Sequence, residues 1–155
     1  MQNKRFDRDR KALLNAVSGD ENDYVAFTAS ASMNRYYEQY DIVLFDSVIT
    51  NTGNHYNAET SAFVCPYDGV FSFSASFYSG YNDEFYLDIM RDDEQIIRGN
   101  ADYFASKYIN AMSTVVIECN AGQRVWARCG HSYGDMYSDS YKQSHFTGFA
   151  LHRFL

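Results

Sequence analysis

The sequence has little of what marks several large classes of protein. It contains one proline and no Gly-x-y repeat, so neither a collagen-like segment nor a proline-rich linker is indicated. No stretch approaches the roughly 18 consecutive apolar residues of a membrane-spanning helix, and no membrane insertion is predicted. Basic residues are scarce, with 13 Lys and Arg against 20 Asp and Glu, a net charge of −7. This balance argues against nucleic-acid binding, which needs a basic footprint.

Catalytic motifs are also missing. The chain has no GxSxG, HExxH, P-loop or GxGxxG pattern, and its 4 histidines lack metal-ligand spacing. We therefore predict that the protein is not an enzyme. The 3 cysteines form no CxxC motif, and their odd number leaves at least one of them unpaired within the chain. Cys119 and Cys129 flank a tight turn without lying directly opposite each other, so no disulfide is expected between them.

What the sequence does contain points to an all-β domain. Hydrophobic residues make up 46% of the chain and aromatic residues 17%, with 14 Tyr and 12 Phe. Aromatic side chains favour half-buried pleated surfaces. The clearest strand is Val70–Tyr78, in which Phe71, Phe73 and Phe77 alternate with serines. Many short strands with turn signals between them indicate a β-sandwich or jelly roll.

The chain divides into a tail over residues 1–23 and a domain over residues 24–155. The tail is polar and charged, and it is predicted to be frayed or to be the remnant of a coiled-coil stalk. Three long polar segments interrupt the domain, at residues 34–41, 99–110 and 130–144. Residues 12–155 hold 8 basic and 18 acidic side chains, a net charge of −10, which permits affinity for cations but also simply favours solubility.

One spacing resembles the signature of the complement C1q globular-head family, in the secreted invertebrate form without a collagen repeat. The residues that carry it are Phe45, Asn51, Tyr56, Phe63, Gly69 and Phe73. Phe71 and Ala75 depart from the family's aromatic positions but remain apolar. The segments 25–27, 63–66, 122–126 and 146–151 also resemble family segments in the correct order. The similarity covers roughly Tyr24 to Leu155.

The resemblance implies a ten-stranded jelly-roll sandwich of the C1q and tumour-necrosis-factor type that is secreted and forms a homotrimer. No signal peptide is apparent, so the sequence is expected to be either a mature form or an expressed part of one. The resemblance also implies that Cys65 is a buried thiol. A family calcium site would use Asp102, but its second position falls near Ile109 or Asn110, neither of which is acidic. The aromatic residues expected in the core or the trimer interface are Phe27, Phe71, Phe73, Phe77, Phe146 and Phe149.

The expected function is pattern recognition by a lectin-like module of innate immunity that binds glycans or other microbial surface ligands. Tyrosine rings stack on sugars, and carboxylates accept hydrogen bonds from polyols. The candidate ligand-binding residues are Tyr133, Asp135, Tyr137, Asp139, Tyr141, Arg35 and Tyr37. Two alternatives stay open. One is an acidic calcium-binding or cation-binding protein of a matrix or biomineral, and the other is a cytokine-like receptor ligand.

Overall fold

The structure is a computed structural model that describes residue 7 and residues 24–81, 83–102, 108–130 and 133–155. Apart from Asp7, the predicted tail lies outside the described residues. From residue 24 onward, all regular structure in the described part of the chain is β. The strands are β1 (Ala26–Ser30), β2 (Arg35–Tyr37), β3 (Ser47–Thr52), β4 (Tyr56–Asn57), β5 (Ala62–Val64), β6 (Gly69–Ser79), β7 (Phe85–Arg91), β8 (Glu94–Ala101), β9 (Asn110–Cys119), β10 (Arg124–Cys129), β11 (Gly134–Tyr137) and β12 (His145–Arg153). Within these residues there is no helix long and apolar enough to cross a bilayer.

The strands form two antiparallel sheets packed face to face. The seven-stranded sheet has the order β2-β11-β6-β12-β1-β3, and β9 also pairs with β6. The five-stranded sheet has the order β4-β5-β10-β7-β8. Neighbours in each sheet are mostly distant in sequence, which is the pattern of a jelly roll rather than of a meander. The predicted all-β jelly-roll class is confirmed, although the described residues form 12 strands instead of the ten expected.

The core follows from the alternation in β6. Phe71, Phe73 and Phe77 are fully buried, and their serine neighbours point to the other face. Phe27 and Phe146 from β1 and β12 are equally buried and lie 5.1 Å apart, centroid to centroid. Aromatic rings at such distances contribute favourable edge and offset contacts beyond the area they bury. These five residues are therefore core residues.

The C1q-like spacing in the chain has a structural cause. The side chain of Asn51 bonds to the backbone of Tyr56 as a neighbouring strand would. The amide of Asn51 donates to the backbone oxygen of Tyr56 at 2.8 Å and accepts from the Tyr56 backbone nitrogen at 3.1 Å. Gly53 turns the intervening loop with φ of +84°, a conformation that costs glycine little. The Tyr56 hydroxyl then donates to the backbone oxygen of Phe45 at 2.7 Å. Asparagine, glycine and tyrosine are thus each required by local hydrogen bonding or geometry.

The segments that were predicted to be long loops are shorter in the structure. Residues 34–41 contain β2, and residues 130–144 contain β11. The connection predicted over residues 99–110 is shortened from both sides, because β8 runs to Ala101 and β9 starts at Asn110. Strands β2 and β11 have only three and four residues, too few to show an alternating pattern, so their pairing with distant strands determines them.

Candidate functional site

The two polar loops that were expected to bind ligand meet in the structure. Strand β2 pairs with β11, so that Asp135 lies opposite Tyr36. The rings of Tyr36 and Tyr133 are 6.0 Å apart, and their side chains are 58% and 65% exposed. Two aromatic faces are therefore presented to solvent side by side, beside a carboxylate.

A second group of rings continues this surface. Tyr137 lies 4.5 Å from Tyr108, and Tyr108 lies 5.6 Å from Tyr81. The turn carrying Tyr81 is joined to β11 because the backbone nitrogen of Gly80 donates to the oxygen of Asp135 at 2.7 Å. We call the whole set the tyrosine surface. Its members are Tyr36, Tyr81, Tyr108, Tyr133 and Tyr137.

The tyrosine surface lies at the end of the domain away from residue 24 and from the C-terminal residue Leu155. Strand β6 starts beside the C-terminal strand, with Gly69 opposite Arg153, and it ends with Ser79 opposite Met136 of β11. Strand β1 enters near the same start, since the backbone nitrogen of Ala150 donates to the oxygen of Val25.

Three carboxylates accompany the rings, and they differ in how far they are already engaged. Asp139 accepts from the Tyr137 hydroxyl at 3.0 Å and from the Tyr141 backbone nitrogen at 2.8 Å. The hydrogen bond to Asp139 raises the pKa of the Tyr137 phenol. Asp83 accepts from the backbone nitrogen of Asp135 at 2.8 Å. Partial burial, followed by the charge of Asp83, raises the pKa of the Asp135 carboxyl.

Not every predicted ligand-binding residue is available. Tyr37 is only 3% exposed, and its hydroxyl accepts from the backbone nitrogen of Leu44 at 3.1 Å. Burial raises the pKa of its phenol. Tyr37 is a core residue because the β2 pleat turns it inward, while Tyr36 faces outward. Arg35 forms an ion pair with Asp46 at 3.5 Å.

Sequence reasoning left some members of the surface unassigned. Tyr81 lies in a turn and Tyr108 in a connection, and neither segment gave a signal for binding. Their spacing in sequence is unrelated to their contact in space. Tyr141, which was expected to bind, is 82% exposed and stands beside Asp139. The clearest clue in the sequence was the high density of tyrosines in the polar segments.

A groove continues from the tyrosine surface along β2. It has a volume of about 660 Å³, and its lining includes Arg35, Tyr36, Tyr40 and Asp41. The guanidinium of Arg128 lies 4.6 Å from the centroid of the Tyr40 ring, which fixes that ring in place. The open groove thus offers aromatic faces, one cation and one carboxylate along its length.

A calcium centre receives little support from the geometry. Asp102 is exposed and lies at the edge of the described residues. Among the residues that the structure describes, no three His, Cys, Asp or Glu side chains are grouped so that they could hold a metal ion. Calcium prefers six to eight oxygen ligands, several of them charged. Calcium binding at Asp102 therefore stays a prediction.

The outer face of the seven-stranded sheet is a second candidate surface. Register places Val116, Ser72 and Phe149 in one row across β9, β6 and β12. Val116 is 57% exposed and Phe149 is 43% exposed, so this expected interface aromatic points outward. The next row carries hydroxyls, including Ser74 and Thr114 at 3.0 Å from each other. We call this side of the sheet the open sheet face.

Comparisons with known proteins agree with this architecture. The chain is 28% identical over 128 residues to human complement C1q tumor necrosis factor-related protein 3, covering 82% of this chain and 51% of that protein. It is 28% identical over 112 residues to zebrafish Caprin-2, covering 72% of this chain and 12% of that protein. The chain thus spans about half of the length of the first of these curated relatives and about an eighth of the second.

Solved structures show the same fold. The globular domain of zebrafish complement 1qA protein superposes with a TM-score of 0.69 at 16% identity, covering 84% of this chain and 99% of that one. Eiger TNF from S. frugiperda gives 0.67 at 12% identity, with coverage of 85% and 95%. In sequence, the family model of the C1q domain matches residues 26–151. Together with the jelly roll and the Asn51–Tyr56 bonding, this match shows that the chain belongs to the C1q domain family.

Proposed function

We propose that the protein is a secreted, non-enzymatic, trimeric C1q-type module that binds glycans or related microbial surface patterns through the tyrosine surface. The observation that carries this proposal is the convergence of five tyrosines from four separate segments at the end of the domain opposite residue 24 and Leu155. Loops held on a rigid sandwich are where binding function usually lies.

The chemistry of the surface suits sugar rings. A pyranose presents an apolar face of C–H groups, which packs on an aromatic ring, and hydroxyls, which bond to carboxylates and phenols. Tyr36 and Tyr133 provide two such rings, and Asp135 of β11 lies opposite Tyr36 in the pairing of β11 with β2. Tyrosine gives large contact area at a low cost in conformational entropy, which is why adaptable binding surfaces use it.

Trimer formation is the second part of the proposal, and the open sheet face supports it. Exposed apolar residues gather there, including Met112 at 68%, Val116 at 57% and Phe149 at 43% exposure. Monomers rarely leave contiguous apolar patches open to water. A three-fold arrangement about an axis along the strands would cover this face and would place three tyrosine surfaces at one end. Weak sites would then gain affinity through multivalency.

The binding proposal is tested on a glycan array and on bacterial cells with purified protein. Tyr36→Ala and Tyr133→Ala should each weaken binding roughly 2–10-fold, the value of one aromatic contact. Tyr24→Ala is the matched control, because Tyr24 is 63% exposed but belongs to the opposite end. A folded trimer that binds nothing, or equal losses from all three substitutions, would contradict the proposal.

Light scattering tests the assembly. We expect a mass near three times 17.9 kDa, and we expect Val116→Glu to give a smaller species, because a charge would be placed in the interface. Glu118→Gln is the control. Glu118 is exposed near the end of the same strand, and this substitution removes a charge instead of adding one. A wild-type monomer would refute this part of the proposal.

Cation binding is a second candidate function, favoured by the pair Asp83 and Asp135. The raised pKa of Asp135 reflects repulsion by Asp83 in addition to burial, and a bound cation would relieve that repulsion. A thermal shift with calcium that disappears in Asp83→Asn, while glycan binding persists, would favour this function. No calcium-dependent shift would remove it.

A further inference from the structure

We propose that Cys65 and Cys119 are the two halves of an intramolecular disulfide site that staples the two sheets together. Both side chains are buried, at 1% and 2% exposure, and their thiols are hydrogen-bonded to each other. Neither Cys65 nor Cys119 forms a disulfide in the structure. The Cys65 backbone is bonded to the turn that follows Cys119, so the two chain segments already lie side by side, as the close approach of two Cβ atoms in a disulfide requires.

The backbone around the pair holds the two sulfurs in place. The Cys65 nitrogen donates to the oxygen of Gln123 at 2.9 Å, and the Cys65 oxygen accepts from Gly122 at 2.8 Å. The backbone nitrogen of Ala121 donates to Asp68 at 2.7 Å. The turn that follows Cys119 is therefore clamped onto the segment that follows Cys65.

The bond would join elements of different sheets. Cys65 directly follows β5 of the five-stranded sheet, whereas Cys119 is the last residue of β9 in the seven-stranded sheet. The loop that it closes spans more than fifty residues and includes β6, β7 and β8. Closing a long loop removes many conformations from the unfolded chain, so the oxidised domain should be the more stable form.

Cys129 is separate from this pair. It ends β10 opposite Leu87, and its backbone nitrogen donates to the oxygen of Asp41 at 2.8 Å. Burial raises the pKa of its thiol to about 12, so little thiolate forms at neutral pH. One disulfide and one inert buried thiol would account for the odd number of cysteines.

The oxidant is a low-molecular-weight disulfide such as glutathione disulfide, and the step balances as thiol–disulfide exchange. The sulfur of Cys119 is the nucleophile, because the Cys65 thiol donates to it and Arg91 is near, which lowers the pKa of Cys119. Its thiolate attacks glutathione disulfide and releases one glutathione. Cys65 then loses its proton to solvent, and its sulfur attacks the sulfur of Cys119, which releases the second glutathione. Burial confines this exchange to folding or to transient opening of the turn.

Peptide mapping tests the proposal directly, because trypsin separates the three cysteines. Cleavage after Lys and Arg places Cys65 in fragment 36–91, Cys119 in fragment 108–124 and Cys129 in fragment 129–142. The full chain is refolded in a glutathione redox buffer, alkylated and digested without reductant. We expect a linked species of fragments 36–91 and 108–124, lighter by two hydrogen atoms than the sum of the free peptides, with Cys129 alkylated only after unfolding.

Variants distinguish the site from random oxidation. Cys65→Ser and Cys119→Ser should each abolish the linkage and the redox dependence of the melting temperature, whereas Cys129→Ser should keep both. The melting temperature of wild type should be higher in the oxidised form than in the reduced form. Free thiols at Cys65 and Cys119 after oxidative refolding, or a link that includes Cys129, would overturn the proposal even if a variant failed to fold.

Discussion

Gly148 allows the most direct test of core packing. Glycine is needed there because no room exists for a Cβ, and not because of the backbone conformation. It lies in β12, the strand between β1 and β6, and a Cβ at this position would come within 2.5 Å of a Phe27 ring carbon and 2.6 Å of a Phe73 ring carbon. Carbon atoms normally pack about 3.5–4.0 Å apart, so each ring would have to move by about 1 Å. The Phe27 ring has nowhere to go, since Tyr56 stacks on it at 4.5 Å.

We expect Gly148→Ala to lower the free energy of unfolding by about 3 kcal/mol, the upper part of the range for overpacking a close-packed core. Gly122→Ala is the matched control. Gly122 has φ of +85° with nothing within 4 Å of a new Cβ, so that change should cost only the left-handed conformation, about 1–2 kcal/mol. Urea unfolding followed by the fluorescence of Trp126, the single tryptophan, measures both values at one protein concentration.

A double-mutant cycle separates packing from other causes. Adding Phe73→Leu to Gly148→Ala should recover part of the loss, because a smaller side chain at Phe73 leaves room for the new methyl group. Strictly additive effects, or a Gly148→Ala cost no larger than that of Gly122→Ala, would refute the reasoning.

Two further predictions concern buried polar groups. Asp88 is fully buried between Arg98 at 2.6 Å and Arg128 at 3.0 Å, so Asp88→Asn should cost about 1.5–3 kcal/mol in urea unfolding, while the exposed-pair control Glu94→Gln should cost under about 1 kcal/mol. Equal costs would contradict this. Burial raises the pKa of Tyr56 above 10.0, so its stabilising contribution is complete below that pH and is lost as pH rises through the folded pKa. The stability difference between wild type and Tyr56→Phe should therefore stay constant up to about pH 9 and narrow from about pH 10 upward, and an unchanged difference at about pH 11 would argue against the assignment.

The resemblance in the sequence identified the family and the core, because both rest on local patterns. The alternation of Phe71, Phe73 and Phe77 determines which face of β6 is buried, whatever strands lie beside it. Asn51 and Tyr56 are five residues apart and bond to each other directly, so their spacing is itself a structural signature.

Only the tertiary structure determined which distant residues meet. Strands β2 and β11 pair across about a hundred residues of chain, as the bond between Asn34 and Ser138 at a separation of 104 residues illustrates. That pairing turns Tyr36 outward and Tyr37 inward, a choice that depends on register and not on residue type. The proximity of Cys65 and Cys119 likewise arises because β9 ends beside the residue that directly follows β5. Such contacts depend on closing long loops and on strand order, neither of which leaves a periodic trace in the sequence.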